Sequence, residues 1–374
     1  MLLIHANYLD EEFHVVQGDI EIQDGKILRV GKNLPRKEED LAVDCEEGYT
    51  VVPGFVDVHI HGCAGADTCD GTREAIETMS KFLLQHGVTS FCPTTMTTGK
   101  EVIERALLAA KDVMDHPVED GARVVGVNME GPFIAKERKG AQKEEDILSP
   151  DWELFRYFYD LSGGIVRLVD VATEQPGGYE FVEKAKELCT VSIAHTTADY
   201  DQAKMAFDKG VTHATHLFNA MNGLHHRRPG VVGAVFDDDR VRGELICDGF
   251  HIHPAVLRTA FRVLGDRAVI VSDSMRANGM AEGEEFDLGG QMVTVRGGKA
   301  TLADGTIAGS VTNLHQEIKN LVSFGIPMPQ AVKSATLIPA RAIGLDEEIG
   351  SIAPGKRADL VVLDKDLEIV AVYH

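Results

Sequence analysis

Short apolar runs rich in β-branched residues recur eight times between residues 56 and 273, and this rhythm constrains the fold more than any other feature. Segments with helical periodicity separate most of the runs, so strands and helices alternate along the chain. Eight such units predict a (β/α)8 TIM barrel, an α/β fold, while a doubly wound parallel sheet is the alternative that counting leaves open. The predicted strands are 56–61, 88–92, 124–130, 165–172, 190–195, 211–216, 242–248 and 268–273, and the predicted helices are 72–86, 100–114, 178–188, 200–209 and 254–264.

Both ends of the chain carry strand-like runs that are too short to bury a core alone. The runs 20–22 and 27–30 flank Asp24-Gly25, a strong hairpin signal, and the runs 358–363 and 367–372 follow the turn at Pro354-Gly355. We therefore predict a small β-sandwich domain built from both termini. The expected domains are residues 1–52 and 349–374 for the sandwich and residues 53–348 for the barrel. A β-hairpin over 286–302 and closing helices over 309–324 and 329–343 are also predicted.

Candidate metal-site histidines and acidic residues stand at the ends of the first, third, fifth, sixth and eighth runs. His59 and His61 are two residues apart on a strand, so their side chains project to the same side. Taken singly, each residue has an ordinary explanation, such as a hydrogen-bonded core histidine, a surface carboxylate or a helix N-cap. In a barrel, however, the carboxyl ends of all strands meet at one mouth. The sequence therefore predicts a single metal site that contains His59, His61, Glu130, His195 and His216, with Asp273 beside it.

The charge of the chain restricts its partners. The formal net charge is −22, which disfavours nucleic-acid binding because the phosphate backbone would be repelled. The basic cluster His225-His226-Arg227-Arg228 departs from this background and suits an anionic group, although a solvated loop is the plain alternative. No basic leader begins the sequence, no apolar run is long enough to span a membrane, and the six cysteines form no C-x-x-C pair. We expect a cytoplasmic protein that contacts no membrane.

Several motifs resemble a known family. Val-Pro-Gly-Phe-Val-Asp-Val-His-Ile-His-Gly at 52–62 and Gly-Ser-Ile-Ala-Pro-Gly-Lys-Arg-Ala-Asp-Leu-Val-Val-Leu-Asp at 350–364 resemble the amidohydrolase superfamily. More narrowly, the segments 129–133, 215–221, 229–230, 248–251 and 272–273 resemble the N-acetylglucosamine-6-phosphate deacetylase family. The resemblance implies hydrolysis of the N-acetyl amide of N-acetylglucosamine 6-phosphate to glucosamine 6-phosphate and acetate, in amino-sugar catabolism or recycling.

The same resemblance implies a division of roles at the metal site. One divalent ion would be held by Glu130, His195 and His216, and Asp273 would be the proton shuttle. Some members of the family keep the first histidine pair and hold two ions, so His59 and His61 make a second ion, bridged by Glu130, chemically possible. The 165–172 run lacks the lysine that many two-metal amidohydrolases carboxylate. Zinc is the expected metal, and the ligand types also suit Fe, Mn, Co and Ni.

The resemblance further implies a homodimer in which Arg227 reaches the substrate phosphate in the neighbouring active site. Many relatives carry a histidine where this chain has Gln142, and glutamine cannot become cationic. We hypothesise that a metal on His59 and His61 compensates by polarising the carbonyl. The other residues expected to contact the sugar phosphate are Ala141, Asn219, Ala220, His251, Ile307, Ala308, Gly309 and Ser310.

Three alternative functions remain open at this level. The first is a deacetylase of N-acetylgalactosamine 6-phosphate, and the second is an amidohydrolase that opens a cyclic amide or deaminates a base. The missing lysine and the basic cluster around Arg227 count against the second. The third is a binding protein that kept the barrel and lost catalysis, and the complete set of candidate ligands counts against it.

Overall fold

The two ends of the chain meet in one β-sheet, and the residues between them form a barrel with its helices. The computed structural model describes residues 1–35, 41–45, 48–281, 283–288, 291–296, 299–302 and 309–374. The N-terminal part contains β1 (Leu2–Leu9), β2 (Val15–Gln23), β3 (Lys26–Gly31), β4 (Ala42–Asp44) and β5 (Thr50–Pro53). The barrel part contains β6 (Phe55–Ile60), β7 (Gly62–Cys63), β8 (Ala66–Asp67), α1 (Arg73–Gln85), β9 (Val88–Thr95), α2 (Lys100–Asp115), β10 (Arg123–Val124), β11 (Val127–Met129), α3 (Trp152–Leu161), β12 (Val166–Val171), α4 (Gly178–Ala185), β13 (Thr190–Ile193), α5 (Tyr200–Lys209), β14 (His213–Ala214), α6 (Gly230–Phe236), β15 (Arg242–Leu245), α7 (Pro254–Leu264) and β16 (Ala268–Ile270). The C-terminal part contains β17 (Glu285–Leu288), β18 (Gln291–Arg296), β19 (Lys299–Leu302), α8 (Leu314–Ser323), α9 (Met328–Ser334), α10 (Leu337–Ala342), β20 (Leu360–Leu363) and β21 (Ile369–Tyr373).

Eight parallel strand positions form a nearly closed barrel, in the order β6, β9, β10 with β11, β12, β13, β14, β15 and β16. The third position is split, since β10 and β11 both pair with β9 and a kink at Gly126, with φ 154°, lies between them. Two backbone hydrogen bonds of 2.9 Å link the last strand position to the first, from the Asp273 N–H to the His59 carbonyl and from the His61 N–H to the Ser274 carbonyl. The predicted (β/α)8 barrel is therefore confirmed.

The barrel strands are covered on both faces. Strands β6 and β9 are buried along their whole length, which is the pattern of a parallel sheet flanked by helices. Helix α1 begins where the hydroxyl of Thr72 accepts the N–H of Ala75, and it buries Met79 and Leu83. These side chains share one hydrophobic cluster with strand residues such as Phe91. The packing fixes the strands, and thereby the positions of the side chains at their carboxyl ends.

The terminal segments form one mixed seven-stranded sheet, with the order β21-β20-β5-β1-β2-β3 and with β4 beside β1. Strand β20 pairs with β5, so the end of the chain lies next to the segment that enters the barrel. The sheet has its own buried cluster, which includes Leu3, Ile20, Val51 and Leu360. Both termini thus build one module as expected, and its described strands pair in a single sheet where a β-sandwich was predicted. The predicted domain boundaries stay a prediction.

Three elements differ from the sequence-based expectations. The segment predicted as one hairpin over 286–302 contains three antiparallel strands, β17 to β19, and the glycine pairs 289–290 and 297–298 that would form its turns lie outside the described residues. The closing helix predicted over 329–343 is interrupted, since α9 ends at Ser334 and α10 begins at Leu337. Helices α3 and α6 were not predicted.

Within the described parts of the chain, no helix combines the length and the apolar character needed to cross a membrane.

Candidate metal centre

The ends of the barrel strands bring the predicted ligands to one point. His59 lies in β6, His61 follows it, and Glu130 comes directly after β11. Three further residues lie just beyond their strands with left-handed backbone angles, His195 (φ 42°), His216 (φ 32°) and Asp273 (φ 45°). Such angles are uncommon outside glycine and concentrate at functional sites. All six residues are more than nine-tenths buried.

Glu130 stands at the centre of the cluster. Its Oε1 lies 3.0 Å from Nε2 of His216 and 3.1 Å from Nε2 of His195. Its Oε2 lies 3.3 Å from Nε2 of His61, and the Nε2 of His59 is 3.6 Å from Oε1. Two groups of candidate ligands therefore share this carboxylate: Glu130 with His195 and His216, and Glu130 with His59 and His61.

The hydrogen bonds of the imidazoles fit a cation site. The Nδ1 atom of His195 lies 2.7 Å from the carbonyl of Arg138, and the Nδ1 atom of His61 lies 3.2 Å from the carbonyl of Thr94. A carbonyl only accepts, so each Nδ1 carries the proton and each Nε2 of a neutral ring presents a lone pair. The Nε2 atoms of His195 and His216 lie only 3.1 Å apart. Lone pairs that converge so closely, next to a carboxylate, suit a divalent metal ion.

The carboxylates at the centre stay ionised. Burial by itself raises the pKa of Glu130, but His195, His216 and His61 hold the pKa well below its usual value. Burial likewise opposes ionisation of Asp273, yet His61 and His59 lower the pKa of this group. Its Oδ1 lies 3.3 Å from Nε2 of His61 and 3.6 Å from Nε2 of His59. Asp273 can therefore accept a proton beside the ligand cluster.

A cavity of about 300 Å³ opens over the cluster. His61, Glu130, His195, His216 and Asp273 form one side of its lining, and Met96, Phe250 and Met275 are among the apolar residues. The predicted substrate residues that line the cavity are Ala141, Gln142, Asn219, Ala220, His251 and Gly309.

The remaining predicted substrate residues lie elsewhere. Ser310 is buried beside the cavity, where its hydroxyl donates to the carbonyl of Ser272. Ile307 and Ala308 fall outside the described residues. Arg227 does not line the cavity of its own chain but a separate surface pocket, together with Tyr200 and Asn222. A role for Arg227 at the metal centre would therefore require a second copy of the chain.

Gln142 makes a contact that the sequence analysis did not anticipate. Its Nε2 donates to Oε2 of Glu130 at 2.5 Å, and its Oε1 accepts the backbone N–H of Thr97 at 2.7 Å. The N–H of Thr97 fixes which end of the amide faces Glu130. Gln142 was expected to act on the substrate, whereas its side-chain amide is already engaged with the proposed metal ligand.

The sequence analysis also missed a set of buried polar residues among the barrel strands. Glu244 in β15 contacts His59 and His213, and Asp170 in β12 accepts a hydrogen bond from Thr215. Burial raises the pKa of Asp170 to about 8, although His59 opposes that shift. A charged residue inside a predicted barrel strand, as Glu244 is within 242–248, was the available signal.

Comparison with known proteins agrees with this geometry. The model of the Amidohydrolase family matches residues 50–373. An N-acetylglucosamine-6-phosphate deacetylase of Bacillus subtilis is 36% identical over 375 residues, which cover 99% of this chain and 94% of that protein. An N-acetylgalactosamine-6-phosphate deacetylase of Escherichia coli O157:H7 is 32% identical, with 100% and 96% covered. The solved structure of a mutant of the Mycobacterium smegmatis N-acetyl-D-glucosamine-6-phosphate deacetylase in complex with N-acetyl-D-glucosamine-6-phosphate has a TM-score of 0.92 and 33% identity, and the match covers 100% of this chain and 97% of that one.

Proposed function

The chain belongs to the amidohydrolase family, and on that premise we propose that it hydrolyses the N-acetyl amide of N-acetylglucosamine 6-phosphate to glucosamine 6-phosphate and acetate. The observation that carries the proposal is the position of Asp273. Its Oδ1 lies 3.3 Å from Nε2 of His61, within a cavity that also exposes Glu130, His195 and His216. A proton acceptor and a set of metal ligands thus face the same space.

Amide hydrolysis needs an activated carbonyl and a deprotonated nucleophile. When bound, a divalent ion supplies the Lewis acidity that polarises the acetyl carbonyl. Glu130, His195 and His216 would hold this ion. Asp273 takes a proton from the attacking water as the water oxygen bonds to the acetyl carbon. As the C–N bond breaks, Asp273 returns the proton to the sugar nitrogen, so acetate and the free amine leave.

We propose zinc as the ion, with Fe, Mn, Co and Ni as metals that the same ligands can take. The pair His59 and His61 supports a second ion, because both side chains approach Glu130 and form with it a ligand group separate from that of His195 and His216. On this assignment the centre would hold two ions per chain, and Glu130 belongs to both groups of candidate ligands. The cytoplasmic location remains a prediction.

The need for a cationic group to bind the substrate phosphate supports a homodimer. The described lining of the cavity contains no lysine or arginine, although a sugar phosphate carries about two negative charges. Arg227 is exposed on the surface of its own chain, in the basic cluster 225–228. We propose that this guanidinium enters the cavity of a neighbouring chain and binds the phosphate through paired hydrogen bonds.

One alternative substrate is tested beside the proposed one, because a relative that is 32% identical along the whole chain is an N-acetylgalactosamine-6-phosphate deacetylase. Acetate release from N-acetylglucosamine 6-phosphate, from its galactosamine epimer and from unphosphorylated N-acetylglucosamine separates the possibilities. We expect the first compound to give the highest kcat/KM. Faster hydrolysis of the epimer would identify N-acetylgalactosamine 6-phosphate as the substrate. The absence of acetate release from both phosphorylated sugars would refute the proposal. Equal rates with the unphosphorylated sugar would refute the phosphate role of Arg227.

A further inference from the structure

Glu244 is a carboxylate at the base of the metal centre, and the hydrolytic steps do not use it. The residue lies in β15, has no exposed surface and does not line the cavity. Its Oε2 accepts from Nδ1 of His59 at 2.9 Å and from the backbone N–H of His216 at 3.2 Å. Its Oε1 accepts from Nε2 of His213 at 2.9 Å. Both carboxylate oxygens are thus engaged with histidine residues.

The contact with Glu244 fixes both the tautomer and the orientation of His59. A carboxylate accepts hydrogen bonds, so Nδ1 of His59 carries the proton and Nε2 presents its lone pair. That Nε2 points toward the ligand cluster, 3.4 Å from Nε2 of His61 and 3.6 Å from Oε1 of Glu130. Metal-binding histidines in general donate their second ring N–H in this way, and loss of the partner weakens metal binding.

Among the described contacts of the Nδ1 atoms of the four candidate histidine ligands, only that of His59 is a bond to another side chain. His61 and His195 donate to backbone carbonyls, and no described partner bonds Nδ1 of His216. Burying a carboxylate also has a free-energy cost, because the charge is desolvated, and a well-packed apolar residue of similar size avoids this cost. The position of Glu244 therefore calls for a specific role at His59.

We propose that Glu244 is a positioning residue that makes His59 a competent ligand and thereby creates the second metal site, formed by His59, His61 and Glu130. This inference rests on the proposed metal centre and adds a residue that controls how many ions the centre holds. Removing Glu244 leaves all three side-chain ligands of the first site, Glu130, His195 and His216, in the chain, although the backbone N–H of His216 loses its acceptor.

Two substitutions of Glu244 separate positioning from packing. Glu244→Leu fills a similar volume and removes both acceptors. Glu244→Gln keeps one carbonyl oxygen, which can still accept from Nδ1 of His59 while the amide N–H2 faces Nε2 of His213. Glu317→Gln is the matched control, since Glu317 is equally buried and its Oε1 accepts the backbone N–H of Cys247 at 3.0 Å instead of bonding to a candidate ligand.

The test is a titration of metal-free protein with Mn²⁺, followed by equilibrium binding and electron paramagnetic resonance. We expect two ions per chain and a spin-coupled spectrum for the wild type and for Glu317→Gln. Glu244→Leu should bind the second ion about 10- to 100-fold more weakly and give the spectrum of an isolated ion. Glu244→Gln should lose less affinity than Glu244→Leu. Circular dichroism confirms that each variant is folded, and if Glu244→Leu is not, the comparison of Glu244→Gln with Glu317→Gln decides.

A double-mutant cycle tests whether Glu244 acts through His59. If it does, the double variant with Glu244→Leu and His59→Ala binds the second ion with the same affinity as the single variant His59→Ala. Additive losses of affinity for the second ion would overturn the proposal. It would also be overturned if Glu244→Leu bound two ions with wild-type affinity, or if the wild type bound only one ion. Because metal binding is measured without substrate, failure of the proposed deacetylation appears separately, as an absence of acetate release.

Discussion

The backbone N–H of Asp273 donates to the carbonyl oxygen of His59 across 2.9 Å, so the last strand position is linked to the first at the residues of the metal centre. The side chain of Asp273 takes no part in this bond. It projects instead toward His61, with Oδ1 3.3 Å from Nε2. The fold and the chemistry therefore use different atoms of the same residue, and a substitution of the side chain can separate them.

Asp273→Asn should abolish most of the activity and leave the fold intact. Asparagine has nearly the same shape but cannot accept a proton from water, and general base catalysis contributes about 10²- to 10⁴-fold. We expect kcat to fall by that factor while the melting temperature stays within a few degrees. The surface variant Asp366→Asn is the control. A variant that keeps more than about a tenth of the wild-type kcat would remove Asp273 from the mechanism.

Gln142→Leu should weaken metal binding more than substrate binding. The substitution removes the donor to Oε2 of Glu130 and leaves the buried N–H of Thr97 without its acceptor. Loss of a residue that orients a metal ligand typically lowers metal affinity about 10- to 100-fold. Metal titration and the KM at saturating metal distinguish the two roles, with Gln316→Leu on the exposed face of α8 as control. A raised KM with unchanged metal affinity would instead support the predicted substrate contact of Gln142.

Arg227→Ala and Asp273→Asn should complement each other in a hybrid dimer. Neither homodimer has a complete active site, but a hybrid contains one site with both Asp273 and the Arg227 of the other chain. Two affinity tags allow the hybrid to be purified after co-expression. We expect about half of the wild-type activity, because one of two sites works. Activity no higher than that of the two parental homodimers would place the action of Arg227 within its own chain, or exclude it.

The sequence favoured the barrel because short apolar runs rich in β-branched residues alternate with segments of helical periodicity along the chain. The helix predicted over 254–264 coincides with α7, which begins at Pro254 after the His253 cap. Helix α6 was missed because its sequence, Gly-Val-Val-Gly-Ala-Val-Phe, is almost entirely buried and has no polar face to reveal its period. The break between α9 and α10 was missed because both helices are mostly apolar and no glycine separates them.

The candidate ligands could be predicted because each one ends a strand, and strand ends converge in a barrel. The partners of those ligands could not, since they depend on contacts between distant segments. Glu244 is 185 residues from His59 in the chain, and Gln142 reaches Glu130 from a loop. The position of Arg227 outside its own cavity likewise depends on how the 222–230 segment folds.

Asp238→Asn should lower the free energy of unfolding in a pH-dependent manner. Arg240 and Lys204 hold the pKa of Asp238 below its usual value, against the effect of burial. A carboxylate with a depressed pKa stabilises the folded state above the pKa of the unfolded chain, about 3.9, and this contribution is lost as the pH falls through the folded pKa.

We expect Asp238→Asn to cost about 1 kcal/mol at neutral pH, a value reduced for solvent screening at Arg240, and less at pH values near 3. Urea unfolding across this pH range measures the difference. Asp208→Asn is the matched control, since Asp208 binds the same guanidinium but is largely exposed. If the decrease in the free energy of unfolding did not change with pH, the stabilisation by Asp238 would come from its packing and not from its charge.

Anomalous X-ray diffraction from crystals soaked in Zn²⁺, with data collected on both sides of the zinc absorption edge, tests the central claim most directly. The account predicts a strong peak within bonding distance of Glu130, His195 and His216, and a second peak between Glu130, His59 and His61. Crystals that show no anomalous peak among these side chains, or whose zinc binds only elsewhere on the molecule, would contradict the assignment of this cluster as a metal centre.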